Sequence, residues 1–431
     1  MHTNKIVSKN IISSEYFLYI VALLSVIIMS FYIYIKKFIP IIPYIKDLLI
    51  ISIFPLLILS LIASSYRIKK FNFIDKIILY LFIYLLFQFL RTGYELSLAA
   101  SYSGFRLTFM YIILYYLYRN ITSINLLSKI NNIFFVILSI GIIITYAEAF
   151  FIKTGIVSIE ALGKIMVLNR YPWQAYERVY GITGSVHITG VYNCIFFAIL
   201  LFANNLNRKG NKILNFFLVE KLKEKKLHRL LYLSFFAVIL SKSQTAWTCM
   251  ACILLIYSIS GNQFKIKRFI SVISVIIFGV LFPFIYFGND IYSSYISFAI
   301  TYGSRIANDI LLIFDSIWFG SGYHVAQTAV GVDVSTLAKN TIIFTDFFFL
   351  DIISALGIVG ILFYFTLFIF IPSYIIISKK YVNEYKVIAA PILVVGIAFG
   401  HYNPLQSTNV NIIIWYLFSQ LSFMLDRKAY F

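Results

Sequence analysis

Apolar runs of roughly 17–25 residues recur along the whole chain, the length that lets a helix cross the hydrocarbon core of a bilayer. A membrane barrel shows segments of about ten residues with alternating polarity instead. No other architecture satisfies its own backbone in lipid. The runs therefore predict an all-α polytopic integral membrane protein of about twelve transmembrane helices. They are expected near 16–35, 47–66, 74–90, 99–118, 132–152, 186–203, 229–242, 244–260, 269–288, 347–374, 387–402 and 408–425. The seventh and eighth are almost continuous, and as one helix they would be about 48 Å long. A turn near Ser241–Gln244 is expected to fold them into a hairpin. Charged residues are only 12% of the chain, against about 25% in a soluble domain, so a water-facing surface cannot be built from it.

The formal net charge of +19 would suggest nucleic acid in a soluble protein, but no aromatic-basic motif accompanies it. Cytoplasmic loops of membrane proteins collect Lys and Arg. With the N-terminus placed inside, the alternate segments expected in the cytoplasm hold 24 of the 36 Lys and Arg, and the outer ones 12. The stretch NRKGNKILNFFLVEKLKEKKLHR (207–229) dominates that bias. Both termini are therefore expected in the cytoplasm, with residues 1–431 as a single transmembrane domain. The two longest loops, 153–185 and 289–346, then lie outside. Within the second, IANDILLIFDSIWF (306–319) is too short and polar to span. It suits an interfacial amphipathic helix with Trp318 and Tyr323 at headgroup level. The first run is too long for a cleaved signal peptide. Cys194, Cys249 and Cys252 sit in apolar runs and read as helix-packing residues.

Charges at membrane boundaries are costly and mark candidates for function. On the outer side these are Arg91, Arg106, Arg178, His187, Lys242, Arg305, His324, Asp346 and His401. Arg91 reads best as a side chain snorkelling at a helix end. Arg178 and Arg305 differ, because they lie in loops beside Gly181, Gly184 and Gly303. Some outer cations have carboxylates within local reach, as Asp309 is one helical turn from Arg305. The surplus suits phosphate or pyrophosphate, which guanidinium groups bind bidentately without ever deprotonating. No H-E-x-x-H, paired Asp or clustered His appears, so neither a metal nor a cofactor is expected.

YGSRIANDILLIFDSIWFGSGYH (302–324) and TDFFFLDIISALGIVG (345–360) resemble the O-antigen polymerase and ligase superfamily. The resembling pattern is Gly303, Arg305, Trp318, Gly320 and Gly322, then Asp346 opening a helix that runs to Gly357 and Gly360. RVYGITGSVHITG (178–190) is similar to that family's segment with Arg before a helix. SKSQTAW (241–247) is similar to its helix hairpin, and SYSGFR (101–106) to its upstream Arg element. The likeness covers roughly residues 100–360, taken as the catalytic region. Asp346, where ligases have His, resembles the polymerase branch.

The resemblance implies a metal-independent glycosyltransferase at the periplasmic face of the bacterial inner membrane, in lipopolysaccharide biosynthesis. It would transfer a growing glycan from undecaprenyl pyrophosphate to the non-reducing end of a new lipid-linked repeat unit. Arg305 and Arg178 would stabilise the leaving pyrophosphate. Asp346, or else His187, would act as base, although Asp346 serves equally as a helix N-cap. Arg106, Lys242, Gly320, Gly322, Tyr323 and His324 would bind substrate. Expected partners are undecaprenyl-pyrophosphate-linked repeat units, membrane lipids, a chain-length regulator and a flippase, with no nucleic acid. The competing readings are a ligase with lipid A-core as acceptor, a flippase or transporter of the lipid-linked oligosaccharide, and a purely structural membrane protein. A transporter would show matching halves, and none is visible.

Overall fold

The structure, a computed structural model, describes residues 2–39, 41–63, 71–95, 97–121, 123–155, 179–207, 224–260, 273, 317–320, 322, 348–400 and 403–428. It is about 86% helical and contains no strand among those residues. In chain order the helices are α1 (His2–Ser30), α2 (Tyr32–Phe38), α3 (Ile42–Ala63), α4 (Phe73–Glu95) and α5 (Leu98–Thr108). Then come α6 (Ile113–Arg119), α7 (Ile124–Thr154), α8 (Val186–Asn207), α9 (Glu224–Leu240) and α10 (Gln244–Ile259). The last four are α11 (Phe348–Phe365), α12 (Ile371–Ile377), α13 (Asn383–Ala398) and α14 (Thr408–Lys428). A π-helical turn, Thr366–Phe370, joins α11 to α12.

Among the described residues, 5 helices are long and apolar enough to cross a membrane: Phe73–Glu95, Ile124–Thr154, His187–Asn204, Ile352–Ile377 and Thr408–Asp426. Other expected runs are helical, and most of them are interrupted or short. The run 16–35 divides at Phe31 into α1 and α2, and 99–118 divides at a 3-10 turn, Met110–Ile112. No Pro or Gly marks that second break, so nothing in the local sequence announces it. Of the expected span 269–288, only residue 273 is among the described residues. The hairpin turn is where the apolar run required it, with Ser243 capping α10 by accepting from the Ala246 N–H.

The outside of the bundle is as apolar as its inside. On α4, Ile78, Leu81, Phe82 and Leu85 are buried, while Tyr80, Ile83, Phe87 and Leu90 are exposed on the other side. A helix apolar all round belongs in a large core or a membrane. Soluble monomers rarely show apolar patches beyond a few hundred Å². The windows His187–Asn204 and Thr408–Asp426 are each 94% buried, against 39% for Phe73–Glu95. The first two are thus the centre of the bundle, and α13 joins them there, buried along nearly its whole length.

The described helix ends fall into two groups. At one end, Asp75 near the start of α4 takes a bidentate ion pair from Arg119 at the end of α6, at 2.9 and 3.0 Å. It also accepts from Tyr115 and from Ser422 of α14. Arg119 further pairs with Asp426, to which Asn72 donates at 2.9 Å. Asn72 and Asp75 cap α4 reciprocally, each backbone N–H donating to the other's side chain, at 3.0 and 3.1 Å, which satisfies two otherwise orphaned helix N–H groups. At this same end Ser123 N–H donates to Glu15 at 2.6 Å, and Lys386 of α13 donates to Ser260 O at 3.3 Å. A buried charge stripped of its partner costs several kcal/mol, so this network fixes three helix ends against one another. The candidate site lies at the opposite end.

Candidate functional site

Where α1 and α7 end and α8 and α14 begin, the short segment 179–185 is drawn into the bundle. Val179, Tyr180, Gly181, Ile182 and Thr183 are buried there. A backbone turn away from water must find partners for its amides and carbonyls, and four surrounding helices, α2, α7, α8 and α14, supply them. Glu148, 4% exposed near the end of α7, accepts from the N–H groups of Tyr180 at 3.0 Å and Gly181 at 2.7 Å. The Thr189 hydroxyl of α8 donates to the Tyr180 carbonyl. Asn409 of α14 donates to the Ile182 carbonyl at 3.3 Å and to the Ser30 carbonyl at 2.8 Å. Tyr34 of α2 donates to the Gly181 carbonyl at 3.4 Å. Charge-assisted bonds to a carboxylate are the strongest of these. Glu148 is thus the chief anchor of the turn that follows Arg178.

The α9–α10 hairpin tip packs on the first turns of α8. A Cβ on Gly190 would sit 2.6 Å from the Cβ of Ser243 and 2.8 Å from the Ser241 hydroxyl, so only glycine admits this approach. Lys242 occupies the tip with a φ of 50°. For a residue other than glycine that conformation costs roughly 1–2 kcal/mol and persists only where the surroundings enforce it. His187 is half-buried one helical turn before Gly190. Lys242 and His187, singled out separately in the sequence, thus belong to the same corner of the bundle.

A third element meets α4. Helix α11 is interrupted at Gly357, whose φ of 65° and ψ of −166° lie in a region open essentially only to glycine. The segment Trp318–Gly320, with Gly322, fits against that interruption main chain to main chain. Gly322 N–H donates to Ala355 O at 3.1 Å, and Ile358 N–H to Ile317 O at 2.8 Å. A Cβ on Gly320 would collide with the backbone of Ala355 and Leu356. From α4, Tyr84 donates to Leu356 O at 2.6 Å and Gln88 to Phe319 O at 2.7 Å. Arg91 donates to Gly320 O at 2.6 Å while pairing with Glu95 at 3.2 Å. Residues 84, 88 and 91 share one helix face, and that face holds the strap. Trp318 itself is exposed.

Arg106 of α5 pairs with Asp47 of α3 at 3.3 Å. Lys46, on the other side of that carboxylate, also lies 3.3 Å from it. Ser101 of α5 donates to Phe89 O at 2.6 Å, which ties this cluster to the same end of the bundle.

Of the residues expected to act on substrate, the structure thus brings His187 and Lys242 to one corner. It gives Gly320 and Gly322 main-chain packing contacts and Arg106 a carboxylate partner. Arg178, Arg305, Asp346, Tyr323 and His324 lie outside the described residues, as does His401. Sequence reasoning passed over Arg91 as an ordinary helix-end charge, and assigned no role in the site to Glu148 or to the pair Lys46–Asp47. Two adjacent opposite charges opening an apolar run were the available signal for that pair. Among the described residues no group of three or more His, Cys, Asp or Glu is placed to hold a metal ion. The cysteines there are unpaired thiols, with Cys249 donating to Val394 O at 3.4 Å. Comparison with family models, with curated proteins and with solved structures finds no match for this chain.

Proposed function

We propose that the chain polymerises lipid-linked polysaccharide repeat units of the O-antigen type, at the periplasmic face of the bacterial inner membrane. The bond from the anomeric carbon of the growing glycan to undecaprenyl pyrophosphate breaks. A bond from that carbon to a hydroxyl at the non-reducing end of a new lipid-linked repeat forms. The hydroxyl proton passes to a base, for which Asp346 and His187 are the candidates, and the lipid pyrophosphate departs. Arg178 and Arg305 neutralise the charge that grows on the leaving group, a preorganised contribution worth several kcal/mol.

The observation that carries this reading is the convergence at one end of the bundle. The turn after Arg178, the Lys242 hairpin tip, His187 and the strap at Gly320 are remote in sequence and belong to segments resembling the same family. The turn, the hairpin tip and the strap are each held by hydrogen bonds to main-chain groups, the rigidity that positioning a charged leaving group requires. The basic residues of the loops assign the opposite end to the cytoplasm.

The test is direct. The purified protein in lipid nanodiscs is given a synthetic undecaprenyl-pyrophosphate-linked repeat unit. Lipid-linked dimers and longer chains are expected, with free undecaprenyl pyrophosphate released and rates unchanged by EDTA. A substrate that stays at one repeat contradicts the reading, and elongation lost to EDTA removes its metal-independent chemistry.

A further inference from the structure

The proposed reaction handles two lipid pyrophosphates at once, and only one of them leaves. The acceptor's pyrophosphate stays bonded to its sugar throughout and needs a place of its own. Lys46, Asp47 and Arg106 supply two cations to one carboxylate, and their arrangement decides which charge is left over. Lys46 has a side chain only 9% exposed. Its ammonium donates to the Tyr111 hydroxyl at 2.8 Å and lies 4.9 and 5.4 Å from the ring centres of Tyr32 and Tyr111. Asp47, 7% exposed, stands between it and Arg106. The deeper cation therefore cancels the carboxylate.

Arg106 is left as the net charge on the more exposed side, with its side chain 36% exposed. One N–H group on Asp47 and the Tyr102 ring, 5.9 Å away, hold the guanidinium in place. A guanidinium carries five N–H donors. Among the described residues its others have no hydrogen-bond partner. A fixed, half-exposed guanidinium backed by a neutralised ion pair is suited to a phosphate oxygen. Its single net charge is also weak enough to let the anion leave after each round.

We propose that Lys46, Asp47 and Arg106 form a second anion site, which takes the lipid-borne pyrophosphate that does not react. The choice of ligand rests on the polymerase reading, whereas the site's ability to bind an anion does not. Lys46 contributes without touching the ligand. It offsets the charge of the Asp47 carboxylate, so removing Lys46 turns Asp47 into a competitor for Arg106. Removing both leaves Arg106 charged and competent again.

The experiment uses full-length protein in zwitterionic nanodiscs, in an Arg178→Gln, Arg305→Gln background that disables the proposed reacting cradle. Farnesyl pyrophosphate is titrated as the probe, with farnesol and inorganic pyrophosphate as comparisons, and thermal melting confirms that each variant is folded. Arg106→Gln and Lys46→Met are each expected to weaken probe binding about tenfold, the loss of roughly one charge-assisted hydrogen bond. Lys46→Met with Asp47→Asn is expected to return to within about threefold of the parent. Farnesol should not bind, and inorganic pyrophosphate should compete poorly. Unchanged affinity in Arg106→Gln overturns the site. A folded double variant as weak as Lys46→Met overturns the charge balance, and equal competition by inorganic pyrophosphate overturns the lipid-borne ligand. Absent elongation by the wild-type protein, with this binding pattern intact in the background variant, would sink the polymerase reading alone.

Discussion

Gly357→Ala is expected to destabilise the protein by roughly 2–6 kcal/mol, the sum of backbone strain and overpacking of about 1–3 kcal/mol each. Both contributions are visible. The backbone at Gly357 is in a region that side chains exclude. An added Cβ would also collide with the main chain of Trp318 and Phe319. The neighbours that would have to move are main-chain atoms already hydrogen-bonded across the break, so relief by a side-chain rotation is not open to them. The apparent melting temperature in nanodiscs should fall by at least about 5 °C, and elongation should fall with it. Gly155 provides the comparison. It too has a positive φ, 66°, but a methyl added there would meet nothing within 4 Å. Gly155→Ala should therefore cost only about 1 kcal/mol. Equal losses at the two positions would show that the strap contributes nothing.

Glu148→Ala is expected to abolish long polymer while leaving the protein inserted in the membrane. Its carboxylate is the acceptor for the buried amides of Tyr180 and Gly181, and an amide left without a partner costs about 1–3 kcal/mol. The turn would relax, and the chain just after Arg178 would lose its anchor. Glu148→Gln keeps one acceptor oxygen but turns an NH2 toward a second N–H. Shorter chains and an intermediate melting temperature are therefore expected. Glu148→Asp keeps the charge but withdraws it by one methylene, and should resemble Glu148→Gln. Chain length read on a gel, beside protein recovered from membranes, separates these outcomes. Normal polymer from Glu148→Ala would show that the turn's geometry is not needed for transfer.

Much of the fold was legible because hydropathy runs report on lipid, and lipid acts on every residue of a span. The hairpin at Ser241–Ser243 was legible for a related reason, since an apolar run too long for the bilayer must turn. The division at Met110–Ile112 was not, because no Pro or Gly accompanies it. At the site, glycines stood out as a motif, yet their packing reason is tertiary. Gly190 admits a hairpin tip from residues 241–246, and Gly357 admits a strap from residues 317–320. Arg91 was illegible because its partner is a backbone carbonyl, that of Gly320, which every residue type supplies. Lys46 and Asp47 were passed over, because only the approach of α5 and Tyr111 makes them a cluster.

The most direct measurement is the lipopolysaccharide banding pattern of cells from which this gene has been deleted. Core carrying a single repeat unit, with the ladder of longer chains gone and restored by the wild-type gene, is the expected result. Core with no repeat at all would point to ligation or flipping, and an intact ladder would contradict polymerisation.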